Sequence, residues 1–246
     1  LTVLTGLFFT VNSCSDSDDN PLSLSKETIS AKWGISTTGS EFTSIEFNKE
    51  GNYIVTFANS VKSGSDNPNV FFGEYQILDD NTIKLNGYGK IIVSYIDETS
   101  FKFTIIKDSD PTNKEEIVST KATEIANSTN TELFCRTWLV IKYNGVDVEN
   151  TTDEKFIVFT KAGTYLIIDK AQTESRLSWW GWTNSNQTEF GYFHIKNRET
   201  KESIISWDNT VQILELTKDS LKLSETQEGE GITETWDLVP AHGEYL

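Results

Sequence analysis

Two segments of this chain match each other closely enough to indicate an internal repeat. "FNKEGNY", from Phe47 to Tyr53, and "FTKAGTY", from Phe159 to Tyr165, share Phe, Lys, Gly and Tyr at identical spacing. Apolar residues alternate with other residues on both sides of each segment. A period of two around a short stretch that contains Gly predicts a β-hairpin, with the glycine at positive φ near the end of the turn. The same folding unit is therefore expected to occur twice.

Three further landmarks recur in the same order. Trp33 in "AKWGIS" is matched with Trp138 in "RTWLVI". "FFGEYQI" is matched with "EFGYFHI", which aligns Gly73 with Gly191, and "VSYIDETSFKF" is matched with "ILELTKDSLKL". Together these landmarks predict two similar units, each with about six to eight short strands.

The residue types favour an all-β fold. The chain has four prolines and 12% aromatic residues, with many Thr and Ile, which are common in strands. We expect two small antiparallel barrels or meander sheets in tandem. A single sheet shared by both repeats is the alternative.

The landmarks resemble the lipocalin-like domains that occur in tandem in lipoproteins of the Bacteroidetes type. The shared pattern is an early Trp, an F-x-x-x-G-x-Y hairpin and a late L-x-x-D-S-L-x-L hairpin. This resemblance implies a meandering antiparallel barrel in each repeat, and it implies no conserved catalytic set.

The amino-terminal segment is typical of an exported lipoprotein. Residues 1–13 are mostly apolar and uncharged and end at Ser13, as in a signal peptide. "VNSC", which ends at Cys14, resembles a lipobox, and the acidic stretch that follows resembles the export signal of surface lipoproteins. Residues 14–25 would then form an acidic tether on an acylated Cys14, which anchors the protein to the outer membrane at the cell surface. An ordinary secretory peptide is the alternative.

The repeat also predicts the domain bounds. A first lipocalin-like domain is expected over 26–125, a linker over 126–131 and a second domain over 132–246. Acylation of Cys14 would leave Cys135 without a disulfide partner. We therefore predict that Cys135 is a small buried residue on a strand.

Few residues suit catalysis. The chain contains only two histidines, His194 and His242, and has no G-x-S-x-G or Walker-type loop. We expect His194 on a strand surface, a protein that is not an enzyme, and neither a cofactor nor a metal. A hydrolase that uses a pair of Asp or Glu carboxylates is the alternative, although nothing in the sequence singles out such a pair. The net charge of −16 also argues against nucleic acid as a partner.

The segment "SWWGWTNSNQTEFGY" is the candidate binding region. The matched landmarks make it a lengthened connection, and alternation would place Trp180 and Trp182 on one face, with Trp179 facing the core. Asn184 and Asn186 would supply polar contacts, a combination that suits sugar recognition. The alternative is that these rings close the end of the barrel or pack on the first repeat.

These observations predict a non-enzymatic, lipid-anchored envelope protein. Its expected role is a binding module, for a small apolar ligand inside a barrel or for a glycan at the tryptophans. The alternative is a structural or assembly subunit that docks to an outer-membrane protein partner.

The acyl anchor on Cys14 is testable by replacing this residue. Cys14→Ser removes the acylated thiol, so we expect the variant to leave the membrane fraction when cells are fractionated. Cys135→Ser is the matched control and should stay with the membranes. Tight membrane association of Cys14→Ser would refute the anchor.

Overall fold

Two antiparallel β-barrels follow each other along the chain. A computed structural model describes residues 23–58, 70–79, 81–169, 175–194, 206–226 and 231–241. Cys14 and the expected signal peptide lie outside the described residues, as does His242.

The first barrel closes with eight strands. Each strand pairs with the next, and β1 pairs with β8. A short helix α1 (Lys26–Ile29) precedes it, capped by Ser25. The strands are β1 (Lys32–Ile35), β2 (Phe42–Phe47), β3 (Asn52–Phe57), β4 (Val70–Ile77), β5 (Thr82–Leu85), β6 (Gly89–Ile96), β7 (Ser100–Lys107) and β8 (Asp110–Lys121).

The second barrel repeats this topology. Helix α2 (Thr129–Phe134) precedes β9, and β9 pairs with β17 to close the sheet, while the two-residue β10 adds only to the edge of β9. The strands are β9 (Thr137–Tyr143), β10 (Val146–Asp147), β11 (Lys155–Phe159), β12 (Thr164–Asp169), β13 (Ser175–Trp182), β14 (Glu189–His194), β15 (Asn209–Leu216), β16 (Leu221–Thr226) and β17 (Thr233–Pro240). The all-β prediction with two tandem barrels is confirmed, and the architecture is consistent with a lipocalin-like fold.

A tryptophan and a helix cover one end of each barrel in the same way. Trp33 and Trp138 are fully buried. The indole Nε1 of Trp33 donates to the carbonyl of Ile29 at 2.9 Å, and that of Trp138 donates to the carbonyl of Phe134 at 3.0 Å. A buried indole N–H needs such an acceptor, so the tryptophan fixes the last residue of the helix over the barrel end.

The early and late hairpins also correspond as predicted. Gly51 and Gly163 have φ of 106° and 82° at the ends of their turns. In the late hairpins the N–H of Asp97 donates to the carbonyl of Ser100, and in the second barrel Thr217 and Ser220 repeat this bond at the same length of 2.9 Å. Both landmarks are therefore equivalent positions in the two barrels.

The match of "FFGEYQI" with "EFGYFHI" is wrong. The N–H of Tyr75 on β4 donates to the carbonyl of Gly51 at 2.7 Å, and the N–H of Trp180 on β13 donates to that of Gly163 at 2.8 Å. β13 is thus the counterpart of β4, whereas "EFGYFHI" contributes to β14, the next strand. The tryptophan-rich segment is a framework strand and not a lengthened connection.

The glycine of "EFGYFHI" has a different reason for its presence. Gly191 lies directly opposite Gly181 in the β13–β14 pair. The ring of Trp207 packs over both, and a Cβ on Gly191 would lie 2.2 Å from that ring. Only glycine permits this close approach, so the F-G pattern arose from local packing and not from the repeat.

The connection between the barrels also differs in detail from the prediction. Helix α2 begins at Thr129, so the expected linker over 126–131 includes its first turn. Cys135 lies at the carboxyl end of α2, where its N–H donates to the carbonyl of Thr131 at 3.0 Å. It is half-buried and not on a strand, because the helix that covers the barrel extends this far. Burial raises the pKa of its thiol.

An apolar cluster joins the outer faces of the two barrels. Barrel walls that face a neighbour are apolar on both sides, as in "NYIVTF" and "KFIVF". The first barrel contributes β3 and β4, and the second contributes β11, β12 and β13. The buried residues of this cluster are Ile54, Phe72, Val158, Leu166, Ile168 and Leu177.

A buried polar network lies beside this cluster. Lys32 Nζ donates to Thr164 Oγ1 at 2.8 Å, and Thr164 Oγ1 donates to Glu46 Oε2 at 2.8 Å. The ammonium also lies 4.1 Å from the ring centroid of Trp179. A buried charge is tolerated when it is paired and hydrogen-bonded, and here the partners come from both barrels.

The contact between the barrels has an approximate two-fold character. Asn52 and Thr164 follow the equivalent turn glycines, and Lys32 and Thr137 precede the equivalent tryptophans. Lys32 contacts Thr164, and in the reciprocal contact Thr137 Oγ1 donates to Asn52 Oδ1 at 3.4 Å. The barrels thus pack through the same face, as the two subunits of a symmetric dimer do.

The inter-barrel cluster predicts a stability effect at Leu166, which is fully buried there. Leu166→Ala should lower the free energy of unfolding by about 2–5 kcal/mol because it removes buried methyl groups and leaves a cavity. Leu214→Ala, at a side chain that is 63% exposed, should change it by less than about 0.5 kcal/mol. Urea unfolding measures both. Equal effects of the two substitutions would mean that the barrels do not pack through this face.

Candidate ligand-binding cavity

The interior of the second barrel contains a cavity of about 830 Å³. It lies away from the end that α2 and Trp138 cover. Small-molecule sites in proteins occupy about 300–1,000 Å³. The cavity is therefore large enough for a small organic ligand.

The deep part of the cavity is apolar. Alternate residues of each strand face the barrel interior, and those nearest the covered end are aliphatic or aromatic. They include Val140, Ile157, Phe190, Val211 and Leu223, all of them buried. This surface can hold the apolar part of a ligand but offers it no hydrogen bond.

A hydrogen-bonded group lies further towards the mouth. The Tyr192 hydroxyl donates to Glu225 Oε1 at 2.8 Å, and Asn209 Nδ2 donates to the same hydroxyl at 2.9 Å. Glu225 is buried, and burial together with the nearby Glu234 carboxylate raises the pKa of Glu225 above its usual value. The strand positions place a titratable carboxyl group inside the barrel.

Charged side chains line the mouth. Asp153, Lys155 and Arg176 are exposed there, and Asp169 is half-buried. Lys155 lies directly opposite Asp169 in the β11–β12 pair. The cavity thus changes from apolar to charged along the barrel axis.

The first barrel has aromatic rings where the second has this charged mouth. Phe42 lies opposite Phe57 in the β2–β3 pair, with ring centroids 5.5 Å apart. The ring of Tyr88 contacts both, at 6.3 and 6.1 Å, and also Phe71 at 5.3 Å. These rings pack against the buried core of the first barrel.

The strand registers show which residues correspond. Phe57 lies four residues after the hairpin Tyr53, and Asp169 lies four residues after Tyr165. On the preceding strand, Phe57 is paired with Phe42 and Asp169 with Lys155. By the same registers Phe71 corresponds to Arg176. Phenylalanine is thus replaced by a charged residue at both positions, and both charged residues line the cavity of the second barrel.

The sequence contained a signal for this difference that our sequence reasoning missed. Continuing the early hairpin alignment by four residues pairs the end of "NYIVTF" with the end of "TYLIID". An inward position therefore changes from Phe57 to Asp169, and a charge at an inward barrel position indicates access to water. The signal was readable from the period of two alone.

The predicted tryptophan site is not a surface. Trp180 is fully buried, and its Nε1 donates to the carbonyl of Thr160 at 3.0 Å. Trp182 is half-buried, lies 5.1 Å from the Phe134 ring and donates through Nε1 to Thr131 Oγ1 at 3.1 Å. The two tryptophans share one face, as expected, but this face is the barrel interior beneath α2. The prediction that Trp180 contacts a ligand from solvent is wrong because packing removes its ring from the surface.

Trp179 has the opposite orientation from the predicted one. It packs against the apolar cluster between the barrels and faces Lys32 of the first barrel. The alternative interpretation of the sequence therefore fits all three tryptophans: Trp180 and Trp182 pack at the end of the barrel, and Trp179 packs on the first repeat.

The remaining predicted residues lie elsewhere. Asn184 and Asn186 are exposed in the turn between β13 and β14, where Asn184 Oδ1 accepts from the N–H of Thr188 at 3.1 Å. Their contact with a ligand stays a prediction. His194 ends β14 and lines the cavity, with Nδ1 3.0 Å from Ser178 Oγ.

Comparisons with known proteins add no family to this description, since no family model matches the chain and no curated protein matches it. Within the described ranges, no group of three or more His, Cys, Asp or Glu side chains is arranged to hold a metal ion. In the same ranges, no helix has the length and apolar character to cross a membrane.

The raised pKa of Glu225 predicts a pH-dependent stability difference. Where glutamate in the unfolded chain is ionised but Glu225 retains its proton, the folded state binds more protons, so stability falls as pH rises through this window. Glu225→Gln removes the cost of the buried charge and keeps an acceptor for Tyr192. We expect the variant to melt at a higher temperature than the wild type at neutral pH, and the difference to vanish below the ordinary pKa of glutamate, about 4.3.

Thermal melts across this pH range measure the effect. Glu116→Gln, on the exposed outer face of β8, is the matched control and should melt like the wild type. A Glu225→Gln variant that is less stable than the wild type at neutral pH would contradict this electrostatic account.

Proposed function

We propose that this chain is a non-enzymatic binding protein whose second barrel encloses the apolar part of a small molecule. The observation that carries the proposal is the cavity of about 830 Å³ in a barrel whose sister is filled by aromatic rings. The apolar depth favours burial of a hydrophobic body, at roughly 25 cal/mol per Å² removed from water. The charged mouth supplies the groups that orient it.

The other binding modes expected from the sequence have less support. A glycan platform, or docking of a protein partner through the tryptophans, requires exposed rings, and Trp180 is fully buried. The exposed apolar side chains Val146 and Leu214 lie on different strands of the second barrel, β10 and β15, and therefore do not form one docking surface. The interior of this barrel is therefore our preferred site.

The proposal includes a lipid anchor on Cys14 and a place at the outer membrane surface. Its support is the sequence pattern of residues 11–20, in which Cys14 follows an apolar run and precedes an acidic stretch. An anchored barrel would meet ligands that partition between membrane and water. The Cys14→Ser fractionation tests this part separately from ligand binding.

Closing the cavity with the side chains of the sister barrel tests the proposal. Asp169→Phe combined with Arg176→Phe places phenylalanine where the first barrel has Phe57 and Phe71. The double variant should fold, and it should bind the apolar reporter N-phenyl-1-naphthylamine at least about tenfold more weakly, a loss of about 1.4 kcal/mol. Fluorescence titration measures the affinity, and a thermal melt verifies the fold.

Thr210→Phe is the matched control because it adds an aromatic ring at an exposed position on the same barrel. It should bind the reporter as the wild type does. Unchanged reporter binding by the folded double variant would place the site outside the second barrel.

A further inference from the structure

We infer that the ligand of the second barrel is an organic cation, a protonated amine on an apolar body, whose ammonium lies beside Glu225 and Glu234. This inference rests on the proposed function and specifies the chemical class of the ligand. It is carried by the charges, rings and hydrogen bonds on the β16–β17 side of the cavity.

Two carboxylates face each other on this side. Glu225 on β16 lies directly opposite Glu234 on β17, and both line the cavity. Like charges directly opposite each other destabilise a strand pair. Neither forms an ion pair within the described residues, and Glu225 is buried. A cation bound between them would offset this repulsion.

The hydrogen bonds of this pair leave acceptors for a ligand. Tyr192 donates to Glu225, and Tyr143 donates to Glu234. An ionised carboxylate has two oxygens with about four acceptor sites, whereas an ammonium has three donors and no acceptor. An ammonium therefore matches the unused acceptors, whereas a ligand carboxylate would bring only further acceptors and a third negative charge.

Aromatic rings border the same position. Trp236 lines the cavity on β17, and its ring centroid lies 5.8 Å from that of Tyr143. Cations within about 6 Å of an aromatic ring face are attracted by its quadrupole, and Trp is the strongest such partner. Aromatic rings next to paired carboxylates favour an alkylammonium over a neutral head group.

A second observation points to a polar atom on the ligand. Tyr165 lines the cavity and is only 7% exposed. Its hydroxyl makes no hydrogen bond to the described residues, and it is not one of their fully buried polar atoms without a partner, so it is accessible from the cavity. A polar ligand group in the cavity would be within its reach.

The charge balance of the cavity agrees with a cation. Its lining has four carboxylates (Asp153, Asp169, Glu225 and Glu234) against one lysine and one arginine (Lys155 and Arg176), a formal net charge of −2 with His194 neutral. Lys155 lies on β11 opposite Asp169 on β12, and Arg176 lies on β13, whereas no lysine or arginine of the lining lies on β16 or β17 with Glu225 and Glu234. The β16–β17 side is therefore the negative side of the site.

Three ligands that differ only in their head group test the inference. n-Octylamine, n-octanol and n-octanoate share one apolar chain and present a cation, a neutral hydroxyl and an anion at neutral pH. By isothermal titration, the full chain should bind n-octylamine at least about tenfold more tightly than the other two. One charge-assisted hydrogen bond supplies this factor.

Replacing the carboxylates separates the head group from the cavity. Glu225→Gln combined with Glu234→Gln should remove the preference for n-octylamine and leave the affinity for n-octanol within about twofold. Asp237→Asn, on the same strand but outside the cavity lining, is the control for net charge and should keep the preference.

Each outcome decides between the two proposals. Equal binding of amine and alcohol, or tighter binding of n-octanoate, would overturn the cationic ligand while supporting a binding cavity. A preference for the amine that persists in the double variant would also overturn the inference. Failure of all three ligands and of the apolar reporter to bind would overturn the proposed function itself.

Discussion

In an eight-stranded antiparallel barrel, every second side chain points into an interior that side chains can just fill. The identity of a few inward residues therefore determines whether such a barrel is solid or holds a ligand. In the first barrel, Phe42, Phe57 and Phe71 pack around Tyr88 and complete the core. In the second, charged residues occupy the corresponding positions and line a cavity.

The two barrels share a framework and differ in the interior, and we propose that binding belongs to the second barrel alone. The buried tryptophan beneath its helix, the early hairpin and the late hairpin are the same in both. The outer face of the first barrel, with Ile54 and Phe72, packs against Leu166 and its apolar neighbours on the second, and Lys32 donates to Thr164. This contact supports the β11–β13 side of the barrel that contains the cavity.

The sequence predicted the framework because its signals are local. Alternation, turn glycines and the tryptophan spacing depend on neighbouring residues, and three of the four landmarks are equivalent in the structure. The fourth failed because Gly191 has a packing reason of its own beneath Trp207. That error turned strand β13 into an apparent insertion, and the insertion suggested a binding surface at Trp180. The face of a strand that points inward depends on its register with the neighbouring strands. Matching sequence patterns does not give this register, and the prediction for β13 was therefore wrong.

A crystal structure of the protein grown with n-octanol tests most directly the central claim that the second barrel is open to a ligand. The account predicts one ligand per chain, with its alkyl chain against Ile157 and Leu223 and its hydroxyl near the mouth. The rings of Phe42, Phe57 and Tyr88 should fill the first barrel without a ligand. Ligand density in the first barrel, or a second barrel closed by its own side chains, would contradict the account.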